Sequence, residues 1–442
     1  MTTLIPKYYQ GATGSVNRAI NLKLAESISV LDFGADPTST SDSTSAIQAA
    51  VNAAVAATKK LYIPGGQYKV STPITIAGGV TIHGDDKVSI IASTATTGNI
   101  FYVTSQAPVS FRNLQISAFS SRTADAAIYY DSGAGTQNNF SVIDNVFFNN
   151  QFTSVYFYRN AYQKVTNCQF QLNSTNGTCI YLGNATTPDS GDQIVAFNQF
   201  YGGTGVTCIY QTGGGGARII GNKFLQTAYG YSVNFGAGAF SGIFVVSDNS
   251  FDGMTVNALS MVTSDATAGL TDIAVTGNVF SASPSDSFIK FSAVASSSLG
   301  RIVITGNTVQ QYTGSASIIS LNLIGDATIV GNMFSGTGTI TIGSNCTNPV
   351  VAANKLEGVG ISNSCTSALI FDTASGATPF ISSNGSYLLN TTGTGGGQGV
   401  LSIANATVAP TSALAGGGVL YVQAGALKYI GSSGAVTTIA IA

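Results

Sequence analysis

The chain has 442 residues; 44% are hydrophobic, only 8% are charged, and the formal net charge is −2. Against the roughly 25% charge of ordinary soluble proteins, this composition offers a long apolar core but little material for solvent-exposed helices, which need Lys, Glu and Arg outside. No basic run exists to grip phosphates, which excludes nucleic acid as a partner, and no stretch of about 18 apolar residues is present to insert into a membrane.

The first segment, MTTLIPKYYQG, has no charged n-region followed by an apolar core and is not a signal peptide. Residues 1–27 read as an attachment arm and neck, in which Ile20 and Leu24 can meet their copies around a three-fold axis. A helix is predicted over 43–57, because Ile47, Val51 and Val55 lie four apart and Asp42 or Ser43 can cap it. Irregular strands follow in LYIPGGQYKV (61–70) and ITIAGGVTIHG (74–84).

From residue 111 a repeat takes over. VTNCQF (165–170), VAFNQF (195–200), IIGNKF (219–224), VSDNSF (246–251) and VTGNVF (275–280) share an apolar residue, two variable residues, Asn, any residue, then Phe or another apolar residue. VIDNVFF (142–148), ITGNTV (304–309), IVGNMF (329–334) and VAANKL (351–356) continue it, and FRNLQI (111–116) is a weaker copy. The Asn slot falls at 114, 145, 168, 198, 222, 249, 278, 307, 332 and 354, with Leu114 and Cys168 as the exceptions and spacings of 22 to 31 residues. A short strand recurring at such a period is the mark of a stacked solenoid. Stacked Asn side chains can pass hydrogen bonds along the axis, and the Phe two residues later points into the same interior. The position before the slot is rich in Gly, Asn and Asp, including Asp144 and Asp248, and is expected to be a bend with positive φ. The fold class is therefore all-β: a right-handed parallel β-helix over 28–390, with its capping helix at 43–57 and Asn-ladder coils over about 111–356.

Residues 391–442 differ in character. TTGTGGGQG (391–399) reads as a flexible joint and 416–442 as three short strands with Gly turns, too few to bury a core alone. A homotrimer would supply the missing burial.

The order SVLDFGAD (29–36), SDSTSAIQAAVNAA (41–54), LYIPGGQYKV (61–70) resembles the opening of the pectate-lyase-like superfamily found in bacteriophage tailspikes and tail fibres. The resemblance is close over about 28–85 and looser over the Asn coils. It implies a homotrimeric spike on a virion, made in the host cytoplasm, that reaches a phage tail or an adaptor protein through residues 1–27 and binds a bacterial surface polysaccharide. It leaves two functions open, because the superfamily holds hydrolases, lyases and non-enzymatic binders: a glycan depolymerase, with hydrolysis favoured over a lyase, or a receptor-binding or decoration fibre.

Glycosidic hydrolysis usually needs two carboxyl groups. Asp32, Asp36, Asp42, Asp85 and Asp86 read as turn and cap residues; Asp192, Asp272 and Asp326 each precede a slot by six residues, where a turn leads into a strand. The candidate groove is Asp125, Asp131, Asp189 and Asp192 as catalytic carboxylates, with Tyr156, Tyr158 and Arg159 binding substrate. The tyrosines are expected to share one strand face, opposite Phe157, and to stack on sugar rings, and Arg159 to bind a carboxylate or hydroxyl. No cofactor is implied. No metal is expected either, since His83 is the only histidine and no ligand cluster surrounds it. The odd set of cysteines, Cys168, Cys179, Cys208, Cys346 and Cys365, without a CxxC pair, reads as reduced, mostly buried thiols.

Overall fold

The computed structural model describes residues 7–133, 136–172, 176–183, 191–281, 284–294, 298–314, 316–371, 387–389, 401–406, 408–412 and 414–442. Asp189 and the glycine-rich stretch 391–399 lie outside the described residues.

Each coil of the chain makes three short strands that pair in parallel with the coils before and after. One coil shows the scheme. Gln193–Ala196 lies on a first face, the chain bends at Phe197 and Asn198, Gln199–Gly202 lies on a second face, and Thr207–Gln211 lies on a third. The next coil repeats it with Ala217–Ile220, Lys223–Leu225 and Tyr229–Phe235, in register strand for strand. Among the described residues the third face is a twelve-stranded parallel sheet from Ile74–Ile76 to Gly360–Asn363. At a strand spacing of about 4.8 Å that is a rod of roughly 50 Å. The architecture is the parallel β-helix expected from the repeat.

Two columns run along the interior behind the bend. The first holds Phe148, Phe170, Phe200, Phe224, Phe251 and Phe280, stacked nearly parallel with centroids 4.6 to 5.0 Å apart. The second is the asparagine ladder. Asn222 Nδ2 donates to Asn249 Oδ1 (3.0 Å) and to Val195 O (2.8 Å), and its backbone N donates to the same Oδ1 at 2.9 Å. The pattern repeats through Asn198, Asn222, Asn249, Asn278, Asn307, Asn332 and Asn354, all buried. A buried amide must be fully paired, and here each one from Asn198 to Asn332 is paired by its copy in the next coil, while Asn354 donates to Ile329 O and Ala352 O, both at 2.9 Å.

The ladder is shorter than the motif suggested. Asn145 does not occupy a slot. Leu114 pairs with Val146, so the early slots are the buried Leu114, Val146 and Cys168, and the asparagines begin at Asn198. Asn145 takes the bend instead, with φ 52°, and Asp144 stands before it on the first face. Asp144 accepts hydrogen bonds from Thr166 Oγ1 (2.8 Å) and Asn167 Nδ2 (2.9 Å) and pairs with Arg112 (3.2 Å), which ties three coils together. In the other coils the bend falls where the sequence placed it, at Asn113, Asn167, Phe197, Gly221, Asp248, Gly277, Gly306, Gly331 and Ala353.

A second corner lies six residues before the slot. Phe140, Tyr162, Asp192, Ile243, Asp272, Arg301, Asp326 and Asn348 all have positive φ there. The expected turn role of Asp192, Asp272 and Asp326 is what their backbones show. Short polar side chains tolerate this conformation best, so the aromatic and branched residues in the same column are under local strain.

Thr44–Ala56 is the capping helix, and it buries Ile47, Ala50, Val51 and Ala54 over the open end of the first coils. Asp42 caps it, its Oδ1 accepting from Thr44 N (2.8 Å), while Ser43 Oγ accepts instead from Asp36 N (2.9 Å). A Cβ at Gly78 would stand 2.2 Å from Val55, so the glycine lets the helix sit close. At the other terminus Val419–Gln423, Ala426–Ile430 and Val436–Ala440 form a three-stranded antiparallel sheet. It buries Tyr421 and Ile430 and leaves Leu420, Val436 and Ile439 exposed. In the neck, Ile20–Leu24 is a single helical turn with no buried residue.

Candidate functional site

The outer surface of the third face carries a column of tyrosines. Tyr102, Tyr129, Tyr156, Tyr181 and Tyr210 are register partners on successive coils, each half-buried. Strand alternation explains their placement: Ile128, Val155, Ile180 and Ile209 point inward one residue earlier, and Tyr130, Phe157 and Leu182 one residue later. The column then steps down to Ser232 and Ser260.

The rings pack on one another. Centroids are 5.6 Å apart from Tyr102 to Tyr129, 5.1 Å to Tyr156, 4.3 Å to Tyr181 and 5.2 Å to Tyr210, and the Tyr156–Tyr181 planes differ by 5°. Tyr158 meets Tyr156 edge-on at 5.8 Å, and the Arg159 guanidinium covers the Tyr158 ring at 4.8 Å. The expectation that Tyr156 and Tyr158 offer open ring faces to sugars is therefore corrected: those faces are shared with Tyr181 and Arg159. Burial pushes the Tyr129, Tyr156 and Tyr210 phenols above their ordinary pKa, which keeps them as hydroxyl donors. Thr212 Oγ1 lies 3.3 Å from Tyr181 Oη and extends the hydroxyl row.

Asp131 ends the strand that carries Tyr129. Its Oδ1 accepts from Gly133 N (3.0 Å) and pairs with Arg159 Nη1 at 3.4 Å. The structure thus brings Asp131, Tyr156, Tyr158 and Arg159 together. Asp125 stands at the opposite end of the strand Ala126–Tyr130, so its backbone is roughly 20 Å from that of Asp131, too far for a hydrolytic pair at about 5–10 Å. Asp125 has φ 59° and accepts from Gly98 N at 2.7 Å. Beside it the fully buried Arg122 guanidinium donates to Ala95 O (2.7 Å) and to Gly98 O. Together they clamp the loop 94–99. Replacing Arg122 by methionine should cost about 2–4 kcal/mol, since two carbonyls lose a charged donor; denaturant midpoints measure the loss, and protease cutting within 94–99 locates it.

Asp192 lies at the corner column, one coil beyond Tyr162, whose ring stacks on Phe140 at 5.1 Å. His83 stacks on Tyr62 at 5.1 Å, and burial holds its pKa below the usual value, which fits a structural role. Among the described residues no group of three His, Cys, Asp or Glu is placed to hold a metal ion. The five cysteines are unbonded and buried.

Tyr102, Tyr181 and Tyr210 were not among the sequence candidates. A faint second repeat marks them: F-Y-V at 101–103, I-Y-Y at 128–130, V-Y-F at 155–157, I-Y-L at 180–182 and I-Y-Q at 209–211.

With this geometry in hand, comparison with known proteins is informative. Residues 27–226 match the family described as rhamnogalacturonase A/epimerase, pectate lyase-like. The matched stretch runs from the opening of the rod past the tyrosine ladder. No curated protein matches the sequence. Among solved structures, PfbA, a surface adhesin of Streptococcus pneumoniae, superposes with a TM-score of 0.57 at 14% identity, covering 79% of this chain and 94% of that one. A tailspike protein of E. coli bacteriophage HK620 gives 0.54 at 14% identity over 90% and 81%. The A-module of an Azotobacter vinelandii mannuronan C-5 epimerase gives 0.52 at 16% over 77% and 99%. At these identities the likeness concerns the fold, and an adhesin, a tailspike and an epimerase share it.

Proposed function

We propose that this chain is a tailspike-type protein that binds a bacterial surface polysaccharide along the outer third face. The observation that carries the reading is the in-register row of five half-buried tyrosines, flanked by the Asp131–Arg159 pair and stepping down to serines. Phenol hydroxyls and a charge-neutralised ion pair suit hydroxyl-rich, weakly charged ligands. Binding is favoured over cleavage, because the described residues of this groove hold one carboxylate, Asp131, rather than a spaced pair. Hydrolysis is the second reading. It is supported by the α-1,3-glucanase of Streptomyces thermodiastaticus, which gives a TM-score of 0.50 at 16% identity over 78% of this chain and 69% of that one. Asp131, Asp189 and Asp192 remain its proposed carboxylates, while Asp125 stands too far from Asp131 to pair with it.

The same reading makes the protein a homotrimer on a virion appendage, made in the host cytoplasm and held to a tail or adaptor protein through residues 1–27. The exposed Ile20, Leu24, Leu420, Val436 and Ile439 support it, as apolar surface that copies of the chain would cover.

The test is chromatography of the purified protein with purified polysaccharide from its host. Co-elution of an unshortened polymer establishes the binder, and shortened fragments establish a depolymerase. Changing Tyr156 and Tyr181 together to phenylalanine removes two hydroxyls while keeping the stack, and should weaken binding about tenfold or more. Unchanged affinity would exclude the ladder as the site.

A further inference from the structure

A second polar feature lies three to five coils beyond the coil of Tyr210, roughly 15–25 Å along the axis. At the corner column Arg301 forks onto Asp272, with Nε to Oδ1 and Nη2 to Oδ2 both at 2.6 Å. Asp326, one coil further, faces the same guanidinium from the other side, and among the described residues its carboxylate has no hydrogen-bond partner. Two adjoining clefts of about 410 and 400 Å³ meet here and share Arg301 and Asp326. Gly300 and Gly325 line the larger cleft, with Thr271, Asn345 and Thr347 on its walls. Neither glycine has a positive φ. A Cβ at Gly325 would come no closer than 3.8 Å to any atom, and one at Gly300 would meet Gly325 O at 3.2 Å. Backbone geometry does not require glycine at Gly325; what a side chain there would fill is the cleft.

We propose that this corner is a second binding site, taking uncharged or amino-bearing sugar residues of the polysaccharide. The inference rests on the polysaccharide reading above and adds a substrate class to it. Neighbouring hydroxyls on a pyranose ring each donate and accept. The corner sets free N–H groups of Arg301 beside the acceptor Asp326 and the hydroxyls of Thr271 and Thr347, which such a ring can bridge. Two carboxylates around one guanidinium leave one negative charge uncompensated. The site therefore repels uronate and phosphate groups and tolerates an ammonium.

The experiment is binding of the full chain to an array of bacterial surface glycans with neutral, amino-bearing and uronate- or phosphate-bearing repeats. Three variants are compared with the unmodified protein: Gly325→Val, which fills the cleft without touching charge; Asp326→Asn; and the paired Tyr156→Phe and Tyr181→Phe change. Thermal melts confirm that each is folded. The expected result is binding to neutral or amino-bearing repeats, weakened about tenfold by Gly325→Val, with Asp326→Asn admitting anionic repeats. Binding confined to anionic repeats, or Gly325→Val and Asp326→Asn both behaving as the unmodified protein while the tyrosine variant loses affinity, would overturn the corner site and leave the ladder standing. No binding to any glycan would remove the polysaccharide reading itself and this site with it.

Discussion

Replacing Asn278 by leucine should lower the unfolding free energy by about 3–5 kcal/mol. Asn278 Oδ1 accepts from both the backbone N and the side-chain Nδ2 of Asn249, at 3.0 and 2.9 Å, and its own Nδ2 supplies Val246 O and Asn307 Oδ1. Leucine strands two donors of Asn249 in a fully buried site, and each stranded group costs about 1–3 kcal/mol. The gain from a larger apolar side chain offsets part of this and does not reach it. Replacing Asn145 by alanine should cost under about 1 kcal/mol, because Asn145 sits at a partly exposed bend and donates to Asp86 and Asn113 near solvent. Denaturant midpoints for the two variants, measured side by side, check the contrast; equal losses would mean that Asn145 belongs to the interior ladder after all.

That contrast also shows where the sequence was readable. An asparagine followed two residues later by phenylalanine predicted a stacked solenoid, and Asn198 to Asn354 bear it out. VIDNVFF defeated the reading because it fits two frames. With Asn145 in the slot, Phe147 points inward; with Val146 there, Phe148 does. Stacking decides between them, since Phe148 lies 5.0 Å from Phe170 at an angle of 5°, whereas Phe147 faces out toward Lys87. One-residue frames flip every side chain across a strand, and composition carries no record of the partner coil. The capping helix was legible within one residue at each end, because a helix carries its signal in its own periodicity. The candidate site was only partly legible. Tyr156, Tyr158, Arg159 and Asp131, grouped from the sequence, do lie together, and three of them are close in sequence. Asp125 was misgrouped, because six residues along a strand span the width of a face. The corner formed by Asp272, Arg301 and Asp326 was invisible, since residues 29 and 25 positions apart become neighbours only once coil lengths are fixed.

Phe224→Ala should cost about 3–5 kcal/mol, the range for emptying a buried aromatic site. Phe224 is fully buried, with ring centroids of Phe200 and Phe251 at 4.9 and 4.6 Å on its two sides. Truncation exposes both neighbouring faces to a void that the backbone cannot close, because the coils above and below hold their spacing through the strand hydrogen bonds. Phe224→Leu should cost less, about 1–2 kcal/mol, as most of the volume is kept. Scanning calorimetry of both variants provides the check; a loss below about 1 kcal/mol for alanine would mean that the coils can settle into the gap.

The asparagine column has a sense of direction. From Asn198 to Asn332 each carboxamide presents its oxygen toward the capped end and donates onward to the next coil, so the dipoles line up head to tail. Aligned amides polarise one another, and the central links become stronger than the outer ones. Such a column resists being cut in the middle and yields from its ends. The rod should therefore come apart by peeling single coils from its tips, with amide hydrogens near Asn278 the last to exchange.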